Sequence, residues 1–175
     1  MSVITAYKEP QDVFFKLLRE GRRTWLAQDE KDKCDHFFNF CVTAHSLRDW
    51  CIKYLGLSGL DANLFHTEIN SLNYFPECRD IANSSKHFGL DSKSSLVISA
   101  ETKDSEFVPL TLNGKSDEKK KIIRTDISIN LSNQKQIELF GFLHHVANNW
   151  ISVLNKKGIP IDSSLHTMYM FIENA

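Results

Sequence analysis

The sequence predicts an α+β fold, mainly helical, in which a four-helix bundle carries a three-stranded antiparallel β-meander inserted before the last long helix. Two changes of pattern predict it. Apolar residues recur at helical spacing from Pro10 to the region of Gly89, give way to strict alternation up to Leu131, and return to helical spacing from Leu139 to Lys157. With 175 residues the chain is long enough to bury most of its apolar surface in one domain, with the β insertion at about 94–132.

Glu9-Pro10-Gln11-Asp12 opens the first helix, since proline suits a first turn and acids suit the positive end of the helix dipole. Val13, Phe14, Leu17 and Leu18 give it an apolar face, and Trp25 and Leu26 carry it past Gly21 to about Gln28. Arg19, Arg22 and Arg23 spread over two faces of this helix, either as a solvated surface or as an anion patch. The second helix runs from about Glu30 to Leu55. Phe37, Cys41, Ala44, Cys51 and Leu55 make one stripe, widened by Phe40, Leu47, Phe38, Val42 and Ile52, so it is packed on several sides. Arg48 falls on that stripe midway between Ala44 and Cys51, and a buried guanidinium has to meet a carboxylate or lose several kcal/mol (~3 or more).

Gly56 to Gly59 ends the second helix, and Asp61 caps a third that turns Leu64, Phe65, Ile69 and Leu72 inward. Pro76 marks a kink or a break, after which helical spacing resumes and stops at Gly89. Leu96-Val97-Ile98 and Phe107 to Leu112 read as two short strands, with Pro109 on an edge and Asn113-Gly114 as a turn. Ile123 to Leu131 alternates apolar with polar residues and is the clearest strand. Ser132 or Asn133 caps the last helix, whose Leu139, Leu143, Val146, Trp150, Val153 and Leu154 face the core up to a stop at Gly158. The tail Met168-Tyr169-Met170-Phe171-Ile172 is apolar enough to pack back on the helices.

A formal charge of −1 with 25% charged and 42% hydrophobic residues excludes a polybasic field, so any nucleic-acid contact has to be a local patch. The four cysteines form no CxxC pair, and three sit in helical sequence at positions that read as buried thiols. No stretch reads as a signal peptide, and no run approaches the roughly 18 apolar residues of a membrane span, which makes a cytoplasmic protein the expectation.

The densest chemistry lies in Cys78 to His87. Wound as a helix, Arg79, Asp80, Asn83, Lys86 and His87 share an arc of roughly 120°, with Cys78, Ile81, Ala82 and Ser85 opposite. The second helix offers His45, Arg48 and Asp49 in consecutive turns. If the two helices are antiparallel neighbours, Asp80 is the natural carboxylate for Arg48, and His45 or Asp49 meets Asn83, Lys86 or His87. Three readings follow. The cluster is a satisfied network that fixes helix register; or Arg79 and Lys86 hold phosphate oxygens while Asn83 orients His87 as acid or base; or His45, Asp49, Asp80 and His87 share a metal, without a spacing motif such as HExxH. The phosphate reading makes His87, Asn83 and Lys86 the catalytic candidates and Arg79, Asp80, Arg48, His45 and Asp49 the binding candidates, with no cofactor and no metal expected.

Arg79-Asp80 through His87 resembles the motif of the HEPN superfamily, in which an arginine, a polar residue and a histidine share one helix. The resemblance implies a helical, often dimeric bundle from a defence or toxin system and a metal-independent ribonuclease, with Arg79 stabilising phosphate, Asp80 the polar residue and His87 catalytic. Family members place about four to six residues between arginine and histidine, whereas seven separate Arg79 from His87. At 1.5 Å per residue the two stand roughly 12 Å apart along the axis, which calls for both chains of a homodimer at one phosphate. Asp35 to Phe40, Leu47 to Trp50 and Cys78 to His87 are also similar to small bacterial proteins carried on mobile elements such as integron gene cassettes and phage-linked islands, which implies an accessory protein but no activity. GxSxG, GxxxxGK[ST] and GxGxxG are absent. The sequence thus points to a bacterial accessory protein with a polar inter-helix site, HEPN-like and acting on or binding RNA. The alternative is a non-enzymatic protein-interaction module that uses an exposed Trp50 and the aromatic tail, its Arg/Asp/His cluster being structural.

Overall fold

Acidic caps start the first two helices. The computed structural model describes residues 3–84, 95–108, 113–162, 164 and 166–172. In α1 (Pro10–Leu26) the Asp12 carboxylate turns back to accept the backbone N–H groups of Lys8 and Glu9. In α2 (Glu30–Tyr54) the Asp29 side chain accepts from Lys31 and Asp32, donors the helix itself leaves unpaired. The two helices are joined by residues 27–29 alone and run antiparallel along their length. Lys16 meets Thr43, Glu20 meets His36, and Thr24 meets Lys33.

Helix α3 (Gly59–Asn70) starts after Ser58, so Asp61 stands inside the first turn rather than at the cap. Between α3 and α4 (Phe75–Ser84) the chain passes through Tyr74 at φ 68°, a left-handed conformation no helix continues through. The interruption at Pro76 is therefore a break, and the described residues hold five α-helices, the last being α5 (Leu139–Lys156). The expected stop at Gly89 lies outside the described residues. Lys156 and Lys157 both pair with Glu68, at 2.6 and 2.7 Å, and tie the end of α5 to α3.

The sheet is antiparallel with strand order β1-β2-β3, but its strands differ from those the pattern suggests. Strand β1 (Val97–Phe107) is one long strand in place of two short ones, because the polar stretch Ser99–Glu106 pairs residue by residue with β2 (Ile122–Leu131). Pairing with a strong partner overrides weak intrinsic β-propensity. Residues 109–112, the rest of the expected second strand, lie outside the described residues. Strand β3 (Gln136–Glu138) follows a turn at Gln134, φ 65°, and runs directly into α5, so Glu138 and not Ser132 or Asn133 precedes that helix.

One cluster of buried side chains includes residues from all five helices, all three strands and the tail, with Trp150, Phe14, Phe40 and Phe142 among its largest members. Trp50, expected at the surface, is half-buried against this cluster. The tail forms a 3-10 helix at Thr167–Phe171 that packs on α1 and α5. Met170 is fully buried, while Met168 and Tyr169 face outward. Among the described residues no helix is long and apolar enough to cross a membrane.

A buried cationic joint holds the C-terminal end of α1. Lys33, only 1% exposed, donates to the carbonyl of Thr24 at 2.7 Å, and Arg124 Nη2 donates to that of Trp25 at 2.9 Å. Cations at the negative end of a helix satisfy carbonyls that have no partner within it. Burial pushes the Lys33 amine down to about 8, against the pull of Asp126, and pushes the Asp126 carboxyl up.

Candidate functional site

Helices α2 and α4 do pack as neighbours, with Cys41 and Cys78 both buried. The expected Arg48–Asp80 pair does not form. Asp80, 6% exposed, takes two N–H bonds from Arg79 on one oxygen (Nε at 3.3 Å, Nη2 at 3.1 Å), and its other oxygen accepts the backbone N–H of Leu96 at 2.8 Å. It thereby fastens α4 to the start of β1. Arg48 reaches Asp49 instead, Nε to Oδ1 at 3.1 Å, with 16% of its side chain still in solvent. The long guanidinium stem spans the apolar stripe and delivers its head to the edge. His45 and Asn83 are half-buried, and Asp49 is exposed. Lys86 and His87 lie outside the described residues. Among the described residues no group of three His, Cys, Asp or Glu side chains is placed to hold a metal.

The arginines of α1 have a more definite setting. Arg19, Arg22 and Arg23 line an open cleft of about 510 Å³ together with Leu26, Ala27, Asp32, His36 and Tyr169. Two of its lining side chains share a buried carboxylate, since the Glu20 side chain is 7% exposed and bonds Arg23 Nη1 at 2.9 Å through one oxygen and His36 Nδ1 at 3.1 Å through the other. A carboxylate only accepts, so Nδ1 carries the hydrogen and the ring is held with Nε2 directed elsewhere. Glu20 thus orients a guanidinium and an imidazole at once. The field of the arginines extends along the helix. The Lys16 amine is held below its ordinary value by burial first, then by Arg19 and Arg23, with Glu20 acting in opposition.

Arg22 is fixed from the other side. Its Nη1 donates to the Tyr169 carbonyl at 2.9 Å and to that of Ile172, and its guanidinium carbon lies 5.0 Å from the centre of the Tyr169 ring. Sequence reasoning found the three arginines and the tail but missed Glu20 and His36. A signal for them existed in the three-residue turn, which fixes the antiparallel register of α1 and α2 and sets Glu20 opposite His36. No protein-family model, curated protein or solved structure matches this chain.

Proposed function

We propose that this is a bacterial accessory protein that binds RNA through the cleft between α1, the first turns of α2 and the tail. One observation carries the reading: three arginines, an oriented histidine and a tyrosine ring converge on a single open cleft in a chain whose net charge is close to zero. Arginine gives planar, paired donors to phosphate oxygens, and an aromatic face accepts any base. RNA is the polyanion that the HEPN resemblance implies. The polar cluster on α4 supports the non-enzymatic side of the sequence reading, because Asp80 is committed to the α4–β1 connection. A homodimer, which the spacing of Arg79 and His87 calls for, is not needed by a cleft complete within one chain.

The test is fluorescence anisotropy with a labelled single-stranded RNA in about 50 mM salt. Wild type is expected to bind with affinity that falls as salt rises, and Arg19→Gln with Arg23→Gln to weaken binding by tenfold or more. No binding by wild type at tens of micromolar protein overturns the reading. A second reading, a protein-interaction module, draws on α3, where Leu60 and Leu64, the latter expected to face inward, stand one turn apart at 73% and 58% exposure.

A further inference from the structure

Gly21 is a residue that α1 has no local reason to contain. Glycine in a helix interior is destabilising relative to alanine, yet this one is buried in the middle of α1. The reason is the tail. A Cβ at position 21 would stand 2.3 Å from Met170 Sδ, 3.3 Å from Met170 Cγ and 3.2 Å from the Phe40 ring. Gly21 is therefore the notch into which Met170 inserts. Three further contacts seat the segment: Phe171 against Phe140 and Trp25, with ring centres 4.5 and 5.2 Å apart, and Thr167 Oγ1 donating to Asn148 Oδ1 at 3.2 Å.

The next residue along α1 is Arg22. Seating Met170 brings the carbonyls of Tyr169 and Ile172 onto Arg22 Nη1 and the Tyr169 ring beneath the guanidinium. Two of the five guanidinium N–H donors are then used, both on one nitrogen. The three on Nε and Nη2 have no hydrogen bond among the described residues and form the paired edge that a phosphate takes. An unrestrained arginine on a helix surface has to surrender its rotamer freedom when it binds, and one already held by backbone carbonyls does not.

We infer that the C-terminal segment Thr167–Ile172 is a positioning element of the cleft, which docks through Met170 in the Gly21 notch and pre-orients Arg22 for a phosphate group of single-stranded RNA. This rests on the RNA-binding reading given above. The tail acts through Arg22, so its removal should be equivalent to removal of that arginine. Were it instead a competitor for the arginine, its removal would strengthen binding.

The experiment compares full-length wild type, Gly21→Ala, Arg22→Gln and the double variant by anisotropy of a labelled single-stranded RNA across a salt series. Release of the tail is read from the Met170 methyl resonance. Gly21→Ala is expected to keep the helical circular dichroism, release Met170, weaken binding about tenfold and reduce the slope of log affinity against log salt by about 0.7, one phosphate contact on a single strand. Arg22→Gln should do the same, and the double variant no more than either. Met170→Asn, which removes the anchor without altering α1, is to reproduce the effect should Gly21→Ala fail to fold. Equal or tighter binding by the tail-released variants, or additive losses in the double variant, overturns the inference while leaving RNA binding by wild type intact. Absence of wild-type binding overturns the RNA reading and this inference together.

Discussion

Replacing Lys33 with methionine tests the buried joint at the end of α1, and the pH dependence of the effect is the informative quantity. The Lys33 amine is held at about 8 in the folded protein against an ordinary 10.5, chiefly by burial. Between those two values the unfolded chain keeps a proton that the native state has released. Folding stability therefore rises with pH through that window, and the full burden of charging Lys33 is present below pH 8. Each pKa unit corresponds to about 1.4 kcal/mol. Going from pH 7 to pH 10 should then stabilise wild type relative to Lys33→Met by about 2.5 kcal/mol. Lys16, also held low by burial, moves the same way in both proteins and cancels in the difference. Urea unfolding of the two proteins at pH 7, 8, 9 and 10 provides the comparison. Parallel stability curves across that range would refute the claim that the amine is desolvated in the native state.

Two other outcomes follow from the contacts. Asp80→Ala, which removes the acceptor for Leu96 N–H and for Arg79, is expected to destabilise by about 2 kcal/mol in urea unfolding, as for a hydrogen bond to a charged group. Arg48→Ala loses only a pair with exposed Asp49 and should cost less than about 1 kcal/mol; the reverse order would restore the Arg48–Asp80 pair. Of the four cysteines only Cys34 is exposed, and burial pushes the Cys51 thiol up to about 12 and Cys41 well above its ordinary value. A disulfide reagent such as DTNB should modify one thiol in the native protein and four in guanidinium, and rapid native reaction of two or more contradicts the described core.

Helix α2 shows what periodicity makes legible. Its buried residues Phe37, Phe40, Cys41, Ala44, Leu47 and Cys51 belong to the predicted stripe while buried Lys33 and Thr43 do not, and α5 buries all six of its predicted residues. Strand β2 shows where the reasoning stops. Its alternation is correct for Ile127 and Ile129, yet Arg124, Asp126 and Ser128, which the same alternation sends to water, are buried as well. Arg124 is met by the Trp25 carbonyl and Asp126 lies in the field of Lys33, both partners distant in sequence. Strand β3 is three residues long, too short for any period to register. Arg48 misled because a one-dimensional stripe gives a side chain's origin and not the place its head reaches. In the cleft the arginines were visible as a charge group, whereas the tail's carbonyls reach Arg22 across about 150 positions of chain that no local pattern spans.

The Gly21 notch has a kinetic consequence. Six of the cleft's lining residues, from Arg19 to Asp32, and the Glu20–His36 pair come from one helical hairpin, so this wall assembles from contacts close in sequence, the kind that form early. Tyr169 reaches Arg22 from 147 positions away, so it joins only once a long loop has closed. The cleft therefore has a fast half and a late half. If only the seated form recognises its ligand, the apparent dissociation constant equals the intrinsic one divided by the seated fraction. Temperature, denaturant or a change on α5 could then set the affinity without altering a single arginine.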